Sequence, residues 1–329
     1  MSLQIGPYKL KSRLLLAPMA GITDKPYRDI CREFGAGLVY SEMISSDLSL
    51  INSKKTQARL IQPDEPIPRA VQLLGTDPYI MAEAAQYNVE RGANIIDINM
   101  GCPAKKVCNK AAGSALMQDE KRVKEILTHV VNSVNVPITL KIRTGLKAKH
   151  RNAIKIARIA EDCGISSLVI HGRTRKQAFT GYAEFETIRQ TKQQVTIPVI
   201  ANGDIININD INFILDYTQA DGIMLGRITR GQPWIFRLLN DQINEINSSE
   251  SRLPIDKRCA IFKHIRTIYR HNNSGYGVAI ARKHIGWYLS RLGEQNINLL
   301  KQHRKMIFST NDANEQLQML EKVLNHYLS

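Results

Sequence analysis

The sequence lacks the features of a secreted, membrane-spanning or disulfide-stabilised protein. No apolar run approaches the ~20 residues that span a bilayer, and the first residues lack the basic and then apolar regions of a signal peptide. The cysteines are few, odd in number and scattered, with no Cys-x-x-Cys pair: Cys31, Cys102, Cys108, Cys163 and Cys259. This usage argues against a disulfide framework or a zinc site. We therefore expect a cytoplasmic protein with no membrane anchor and no bound metal.

Acidic residues are also in short supply. The chain has 45 Lys and Arg residues against 30 Asp and Glu residues, which gives a net charge of +15 and an isoelectric point near 9.6. This balance suggests a polyanionic partner, nucleic acid before membrane, because the sequence shows no amphipathic anchor. A basic, well-solvated surface would give the same composition, so charge alone does not decide between them.

Short-period repeats are absent, and short β-branched runs instead alternate with helical patterns. The predicted strands are spaced by about 30 residues, the length of one βα unit, and begin near Leu14, Leu38, Arg69, Asn94, Val136, Ser167, Ile197 and Ala220. Eight such units predict an α/β fold, a (β/α)8 TIM barrel, with an open doubly wound sheet as the alternative. Asp77-Pro78 and Gly92 bound one intervening helix, and another is predicted over residues 150–163.

The pattern changes near residue 240, after which only helical segments are predicted. We expect a barrel over residues 1–243, a linker over 244–254 and a small all-helical domain over 255–329. From Ser251 onward the chain has thirteen Lys or Arg residues and five Asp or Glu residues. Lys263, Arg266 and Arg270 share one helix face, and Arg282, Lys283 and Arg291 form a second basic group. Backbone-phosphate binding and a merely solvated charged face both explain this concentration.

The segment Asp97–Lys106 is the most informative stretch of the chain. It begins as a buried strand containing Ile96 and Ile98, and alternation places Asp97 and Asn99 on the opposite face. The strand then breaks at Gly101-Cys102-Pro103, which can continue neither strand nor helix. Cys102 is thereby delivered on a rigid turn, where it serves either chemistry or simple packing, the usual fate of a free cysteine.

Polar residues recur at the predicted carboxyl ends of the strands, where a barrel holds its active site. They are Gln72, Asn99, Lys141, Arg143, His171, Arg173, Asn202, Asp204 and Arg227. Buried amides and ammonium groups are costly unless they share a polar ligand. Glycines at the seventh and eighth strand ends, Gly203 and Gly226, free the backbone to approach a phosphate. A flavin mononucleotide (FMN) fits these requirements, whereas the absence of a G-x-G-x-x-G after the first strand gives no support for a Rossmann site.

Together these segments resemble the tRNA-dihydrouridine synthases, and most closely their bacterial B-type branch. The resemblance runs essentially end to end and rests on residues 17–24 (APMAGITD), 97–107 (DINMGCPAKKV), 140–145 (LKIRTG), 170–175 (IHGRTR), 201–205 (ANGDI), 226–227 (GR) and 281–284 (ARKH). It implies an FMN-dependent enzyme that uses NADPH to reduce a uridine in the D-loop of tRNA to 5,6-dihydrouridine.

The resemblance also implies roles for individual residues. Pro18, Met19 and Ala20 would line the flavin, and Gln72 and Lys141 would bind its ring edge. The ribityl phosphate would be held by His171, Asn202, Gly203, Asp204, Gly226 and Arg227. Cys102 would be the catalytic acid, and Asn99 would position the uracil. Basic residues expected at the substrate are Lys105, Lys106, Arg143, Arg173, Arg175, Arg282 and Lys283, although solvated side chains explain those at the barrel mouth equally well.

The chemistry agrees with these roles. Hydride from reduced flavin N5 can add at uracil C6, and C5 must then be protonated. A thiol, with a reference pKa of about 8.5, stays mostly protonated at neutral pH yet can give the proton up. A uracil stacked in folded tRNA cannot reach a barrel floor, so the base must be flipped out. We expect a monomer.

Two other hypotheses about the function each explain part of the sequence. A small-molecule FMN oxidoreductase, such as a dihydroorotate-dehydrogenase-like barrel, leaves the basic helical domain without a role. A non-catalytic tRNA binder or folding chaperone leaves Cys102 above a polar lumen unexplained.

Overall fold

The computed structural model describes residues 3–244, 254–272, 274–292 and 297–328. Apart from its end residues, the predicted linker at 244–254 lies outside the described residues, and the predicted domain boundaries stay a prediction. Among the helices that the structure describes, none is both long and apolar enough to cross a membrane.

The chain divides into two compact units. One is formed by Met1–Arg28 with Gly35–Gly226, and the other by Asp29–Phe34 with Arg227–Ser329. The first unit carries the strands, which are β1 (Gln4–Ile5), β2 (Tyr8–Lys9), β3 (Leu14–Leu16), β4 (Leu38–Val39), β5 (Ile44–Ser45), β6 (Ala70–Leu74), β7 (Ile95–Met100), β8 (Ile138–Arg143), β9 (Ser167–His171), β10 (Val199–Asn202) and β11 (Gly222–Leu225).

Strands β3 to β11 form one parallel sheet in the order β4-β3-β11-β10-β9-β8-β7-β6-β5. The second barrel strand is split into β4, which pairs with β3, and β5, which pairs with β6. A parallel bridge from Tyr40, directly after β4, to Ala70 in β6 closes the ring. At the split, the Ser41 hydroxyl accepts the Gln72 backbone N–H at 3.0 Å and replaces a lost ladder bond. The structure thus confirms the predicted (β/α)8 barrel.

As predicted, helices alternate with these strands, and further helices follow the last strand. They are α1 (Lys25–Glu33), α2 (Lys54–Gln57), α3 (Pro78–Glu90), α4 (Lys105–Cys108), α5 (Glu120–Ser133), α6 (Ala153–Asp162), α7 (Glu186–Lys192), α8 (Ile208–Thr218), α9 (Ile235–Ile243), α10 (Lys257–His271), α11 (Ser274–Leu292), α12 (Ile297–Ser309) and α13 (Ala313–Tyr327). Helix α6 begins three residues later than predicted, because Lys147 and His150 bridge each other in a turn. Past β11, the described residues contain no strand.

Each unit has its own apolar core. In the second unit, helices α10 to α13 pack around Trp234, Ile265, Ile285, Tyr288 and Leu320.

In the barrel, side chains from the amino-terminal halves of the strands, such as Leu15, Ile95 and Ile200, pack against Leu3 and Ile5 of the N-terminal hairpin. The hairpin therefore closes the base of the lumen with apolar groups. Polar side chains are left to the opposite end, where a barrel places its site.

Candidate active site at the carboxyl ends of the barrel strands

A chain of hydrogen bonds crosses the lumen from β8 to the turn after β7. Thr139 Oγ1 donates to Asp97 Oδ1 at 2.6 Å, and Gln72 Nε2 donates to Asp97 Oδ2 at 2.6 Å. Asn99 Nδ2 in turn donates to Gln72 Oε1 at 2.8 Å. Asn99 Oδ1 then accepts the backbone N–H groups of Gly101 and Cys102, each at 3.0 Å. The structure therefore joins Gln72 and Asn99, both predicted site residues, to the Cys102 turn.

The Cys102 turn is also held from its other side. The Cys102 carbonyl accepts the hydroxyl of Ser114 at 2.9 Å and its backbone N–H at 3.0 Å. Gly113 permits this approach with a φ of 61°, since a Cβ there would stand 2.7 Å from the Cys102 carbonyl oxygen. The Cys102 side chain is half-buried, and burial raises the pKa of its thiol above the ordinary value, outweighing the opposing charges of Arg143 and Lys141. The group at this turn is thus a thiol rather than a thiolate at neutral pH.

Lys141 and Asn202 meet at the next strand ends. Lys141 Nζ donates to Asn202 Oδ1 at 3.1 Å, and Asn202 Nδ2 donates to the Met224 carbonyl at 2.7 Å. Burial, reinforced by the nearby charge of Arg143, lowers the pKa of Lys141 to about 8, against the pull of Asp97 and Cys102. A lysine in this state carries its charge at neutral pH but loses it readily under mildly alkaline conditions.

Arg143 is buried below the mouth rather than displayed on it. Only 2% of the residue is exposed. Its guanidinium donates to the carbonyls of Gly101 at 2.7 Å, Thr174 at 3.0 Å and Ala178 at 2.8 Å, and lies 5.6 Å from the ring centre of Phe179. Burial lowers the pKa of Arg143 to about 10. Its geometry supports a role in holding the Cys102 turn against the loop after β9, and its substrate contact stays a prediction.

The ends of β9 and β10 carry several of the residues predicted to hold a phosphate, in a region that we call the cradle. Arg173, also buried, donates to Asp204 Oδ2 at 2.6 Å and lies 3.4 Å from His171 Nε2. Asp204 Oδ2 also accepts the Ala183 backbone N–H at 2.7 Å. Gly203 has a φ of 128°, and a Cβ there would stand 2.8 Å from Ala183 and 3.0 Å from His171. Only glycine fits this close approach, which leaves backbone rather than side chain facing the cradle.

The remaining predicted residues are more dispersed. Pro18, Met19 and Gly226 are half-buried at the strand ends, and Ala20 is exposed. Lys105 and Lys106 are exposed in α4, and Lys105 and Arg175 line one cleft with Lys147 and Lys176.

Three predicted residues belong to the second unit. Arg227 is exposed at its start, and Lys283 is half-buried in α11. Arg282 Nη2 donates to the Thr310 carbonyl at 2.9 Å and to Asn311 Oδ1 at 2.6 Å.

Glu42 was not predicted from the sequence, although it lies at the carboxyl ends of the barrel strands. Its Oε2 accepts the Gly21 backbone N–H at 2.5 Å and pairs with Arg59 at 3.2 Å, so it ties the turn after β3 to the loop that carries α2. Met43 Sδ lies 3.8 Å from Asn99 Nδ2. The polar pair Ser41-Glu42 directly after an apolar run was the available signal, since it marks a strand end.

The sequence of the chain is similar to those of known proteins. Residues 15–328 match the family model of the dihydrouridine synthases. The chain is 48% identical over 326 residues to tRNA-dihydrouridine synthase B of Salmonella typhimurium, covering 99% of this chain and 100% of that protein. It is 51% identical over 289 residues to tRNA-dihydrouridine synthase B of Pseudomonas aeruginosa, covering 88% of this chain and 87% of that protein.

Solved structures share the barrel at low sequence identity. An old yellow enzyme homologue from Zymomonas mobilis aligns with a TM-score of 0.52 and 13% identity over 75% of this chain and 92% of its own. Morphinone reductase in complex with tetrahydroNAD aligns with a TM-score of 0.53 and 14% identity over 72% of this chain and 90% of its own. At these identities the likeness supports the fold alone.

Proposed function

The chain belongs to the dihydrouridine synthase family, and from this membership we propose that it reduces a uridine in the D-loop of tRNA to 5,6-dihydrouridine. The observation that carries the proposal is the position of Cys102. A half-buried thiol with a raised pKa stands on a turn fixed from both sides, next to a polar lumen. A proton donor held at a defined place is what protonation of a carbon centre requires.

We propose FMN as the cofactor, held at the carboxyl ends of the strands. Gly203 and its cradle suit a phosphate group, because the backbone there accepts no Cβ. His171, Asn202, Asp204, Gly226 and Arg227 would complete the phosphate site, while Pro18, Met19, Ala20, Gln72 and Lys141 would contact the ring. A reduced FMN held by these residues would supply the hydride that adds to C6 of the uracil.

The chain's own residues supply the other half of the reaction. Cys102 gives its proton to C5 of the uracil, and Asn99 orients the base. Lys141 contributes a positive charge at neutral pH, since its pKa is about 8, and this charge would favour an electron-rich ligand beside it. The base must be flipped out of the tRNA to reach these groups.

We propose that NADPH is the reductant and that the helical residues 255–329, joined to the barrel at 244–254, bind the tRNA backbone. Lys105, Lys106, Arg143, Arg173 and Arg175 around the barrel end, with Arg282 and Lys283 in α11, are the proposed substrate contacts. The protein would act as a monomer in the cytoplasm.

An absorption spectrum of the purified protein, followed by anaerobic reduction, tests the proposal. We expect flavin bands that bleach with NADPH and return on addition of unmodified tRNA, but not with free uridine or orotate. A colourless protein that binds no added FMN would contradict the cofactor assignment. A yellow protein that is indifferent to tRNA and reoxidised by orotate would support a small-molecule oxidoreductase instead.

A further inference from the structure

We propose that Asp97 is a positioning residue, which sets the direction of the hydrogen-bond chain through Gln72 and Asn99 and so holds the turn that carries the Cys102 thiol. The proposal rests on the proposed function for its catalytic consequence. Its structural content concerns only how the thiol is held.

The chain has a defined direction at each end. Backbone N–H groups of Gly101 and Cys102 can only donate, so the Asn99 side chain must present Oδ1 to them and Nδ2 to Gln72. Gln72 must then accept through Oε1 and donate through Nε2. The group that receives this last donor has to be an acceptor. A carboxylate at position 97 meets that need, because it has no proton to donate.

The direction of these hydrogen bonds matters because the side chains that form them are buried. Asp97 and Gln72 are each 1% exposed, and Asn99 is 7% exposed. Water is therefore a poor substitute for a missing partner, and a broken bond leaves a buried polar atom unsatisfied. Each amide side chain in the series is held by its neighbour. Loss of the hydrogen-bond acceptor at Asp97 can therefore loosen Gln72, then Asn99, and so the Cys102 turn.

Charged and titratable groups reach Asp97 from both flanking sides. Tyr40 approaches from the end of β4, and Lys141 acts from β8, where Thr139 also donates to the carboxylate. Burial raises the pKa of Asp97 to about 6, while the bonds from Gln72 and Thr139 and the charge of Lys141 oppose the rise. At pH 8 the group is therefore an acceptor-only carboxylate.

Substitutions at two positions separate an acceptor role from a charge role and from simple packing. Asp97→Asn can keep the chain, since its Oδ1 accepts from Gln72 and its Nδ2 donates to the Thr139 hydroxyl. Asp97→Leu is close in size but leaves the Gln72 amide without an acceptor. Thr139→Val is the matched control, because it removes a bond to the same carboxylate outside the path to Cys102.

The first measurement is the rate at which Cys102 is alkylated by iodoacetamide at pH 8, followed by peptide mass spectrometry. We expect the rate in Asp97→Leu to rise at least about threefold as the turn loosens and the half-buried thiol is exposed. Asp97→Asn and Thr139→Val should stay within about twofold of the unaltered protein. This readout does not depend on any activity.

The second measurement separates the two half-reactions of the loaded enzyme. In Asp97→Leu, reoxidation by tRNA should slow at least about tenfold more than flavin bleaching by NADPH, because only reoxidation uses Cys102, whereas the disturbed Gln72 contact with the flavin affects both half-reactions. Asp97→Asn should restore reoxidation at pH 8 to within about threefold of the unaltered protein, because an amide oxygen accepts from Gln72 as a carboxylate oxygen does.

Three results would overturn the proposal. Equal alkylation rates in Asp97→Leu and the unaltered protein would show that the turn does not depend on Asp97. Equal effects of Thr139→Val and Asp97→Leu would indicate general packing. Loss of reoxidation in Asp97→Asn would assign the role to charge. If the unaltered protein itself fails to react with tRNA, the proposed function fails, while the alkylation result still decides whether Asp97 positions Cys102.

Discussion

Lys141 Nζ on β8 reaches across β9 to Asn202 Oδ1 on β10 at a distance of 3.1 Å. The contact places a cation between the lumen, which carries Asp97, and the cradle around Gly203. Its pKa of about 8, well below the ordinary 10.5, follows mainly from burial. The unfolded chain binds this proton up to about pH 10.5, whereas the folded chain loses it near pH 8. The buried ammonium therefore lowers the free energy of unfolding below pH 8. This loss of stability is relieved as the pH rises from about 8 to 10.5.

The same titration predicts how FMN binding depends on pH. We expect the affinity of the apoprotein for FMN to fall as the pH rises through about 8, because the ammonium is lost and with it the attraction to an anionic ligand. Lys141→Met should bind FMN about tenfold more weakly at pH 7, with little change up to about pH 9. Quenching of FMN fluorescence measures both affinities. An unaltered protein whose affinity stays constant across this range would contradict the role of Lys141.

Cys102→Ala should separate binding from chemistry. We expect the variant to keep its flavin and its tRNA affinity, while anaerobic flavin reoxidation by tRNA slows at least about 100-fold, the scale of a lost general acid. Cys163→Ala is the matched control, since Cys163 is also half-buried but lies after α6, where its Sγ contacts Thr128 Oγ1 at 3.5 Å. Full turnover by Cys102→Ala would remove Cys102 as the acid.

The strands and the polar strand ends could be predicted because they depend on local patterns. Apolar runs near Leu14, Asn94 and Ser167 became β3, β7 and β9. The bond from Gln72 to Asp97 could not be predicted, because it joins residues 25 positions apart whose partner depends on sheet register.

Arg143 illustrates a second limit. A sequence gives no reason to bury an arginine, and its compensation comes from backbone carbonyls on two separate segments. Which carbonyls converge on a side chain depends on loop conformation, and this is a property of the folded chain rather than of residue type. Glu42 was missed for the same reason, since its partner is the backbone of Gly21.

The buried ion pair of Arg28 and Glu65 should be important for stability. Both side chains are 1% exposed, and the pair is bidentate, with Arg28 also donating to the Thr23 carbonyl at 2.9 Å. Glu65→Gln should lower the free energy of unfolding by about 3–5 kcal/mol, because it leaves the guanidinium buried without a counter-charge. The double variant Arg28→Met with Glu65→Leu should recover most of the loss. Urea unfolding followed by circular dichroism measures both, and a single variant within about 1 kcal/mol of the unaltered protein would contradict this account.

The exposed basic face of α10 should carry part of the electrostatic binding of tRNA. Lys263 is already paired with Glu33 at 2.7 Å, and Arg258 with Glu321 at 2.9 Å. Arg266 and Arg270 are exposed, and both line a groove on this face of α10. Among the residues that the structure describes, no carboxylate lies within ion-pair distance of either guanidinium group. These two guanidinium groups are therefore the ones on this face that a phosphate can reach without breaking an ion pair.

Replacing Arg266 and Arg270 together by Ala should weaken tRNA binding and reduce the slope of log K against log salt by about 2, one for each lost phosphate contact. Flavin bleaching by NADPH should not change, since the substitutions lie outside the barrel unit. Lys121→Ala with Lys124→Ala removes the same charge from exposed positions of α5 and should leave the slope unaltered. If both pairs lower the slope equally, net charge alone attracts the tRNA, and the α10 face has no specific part in binding.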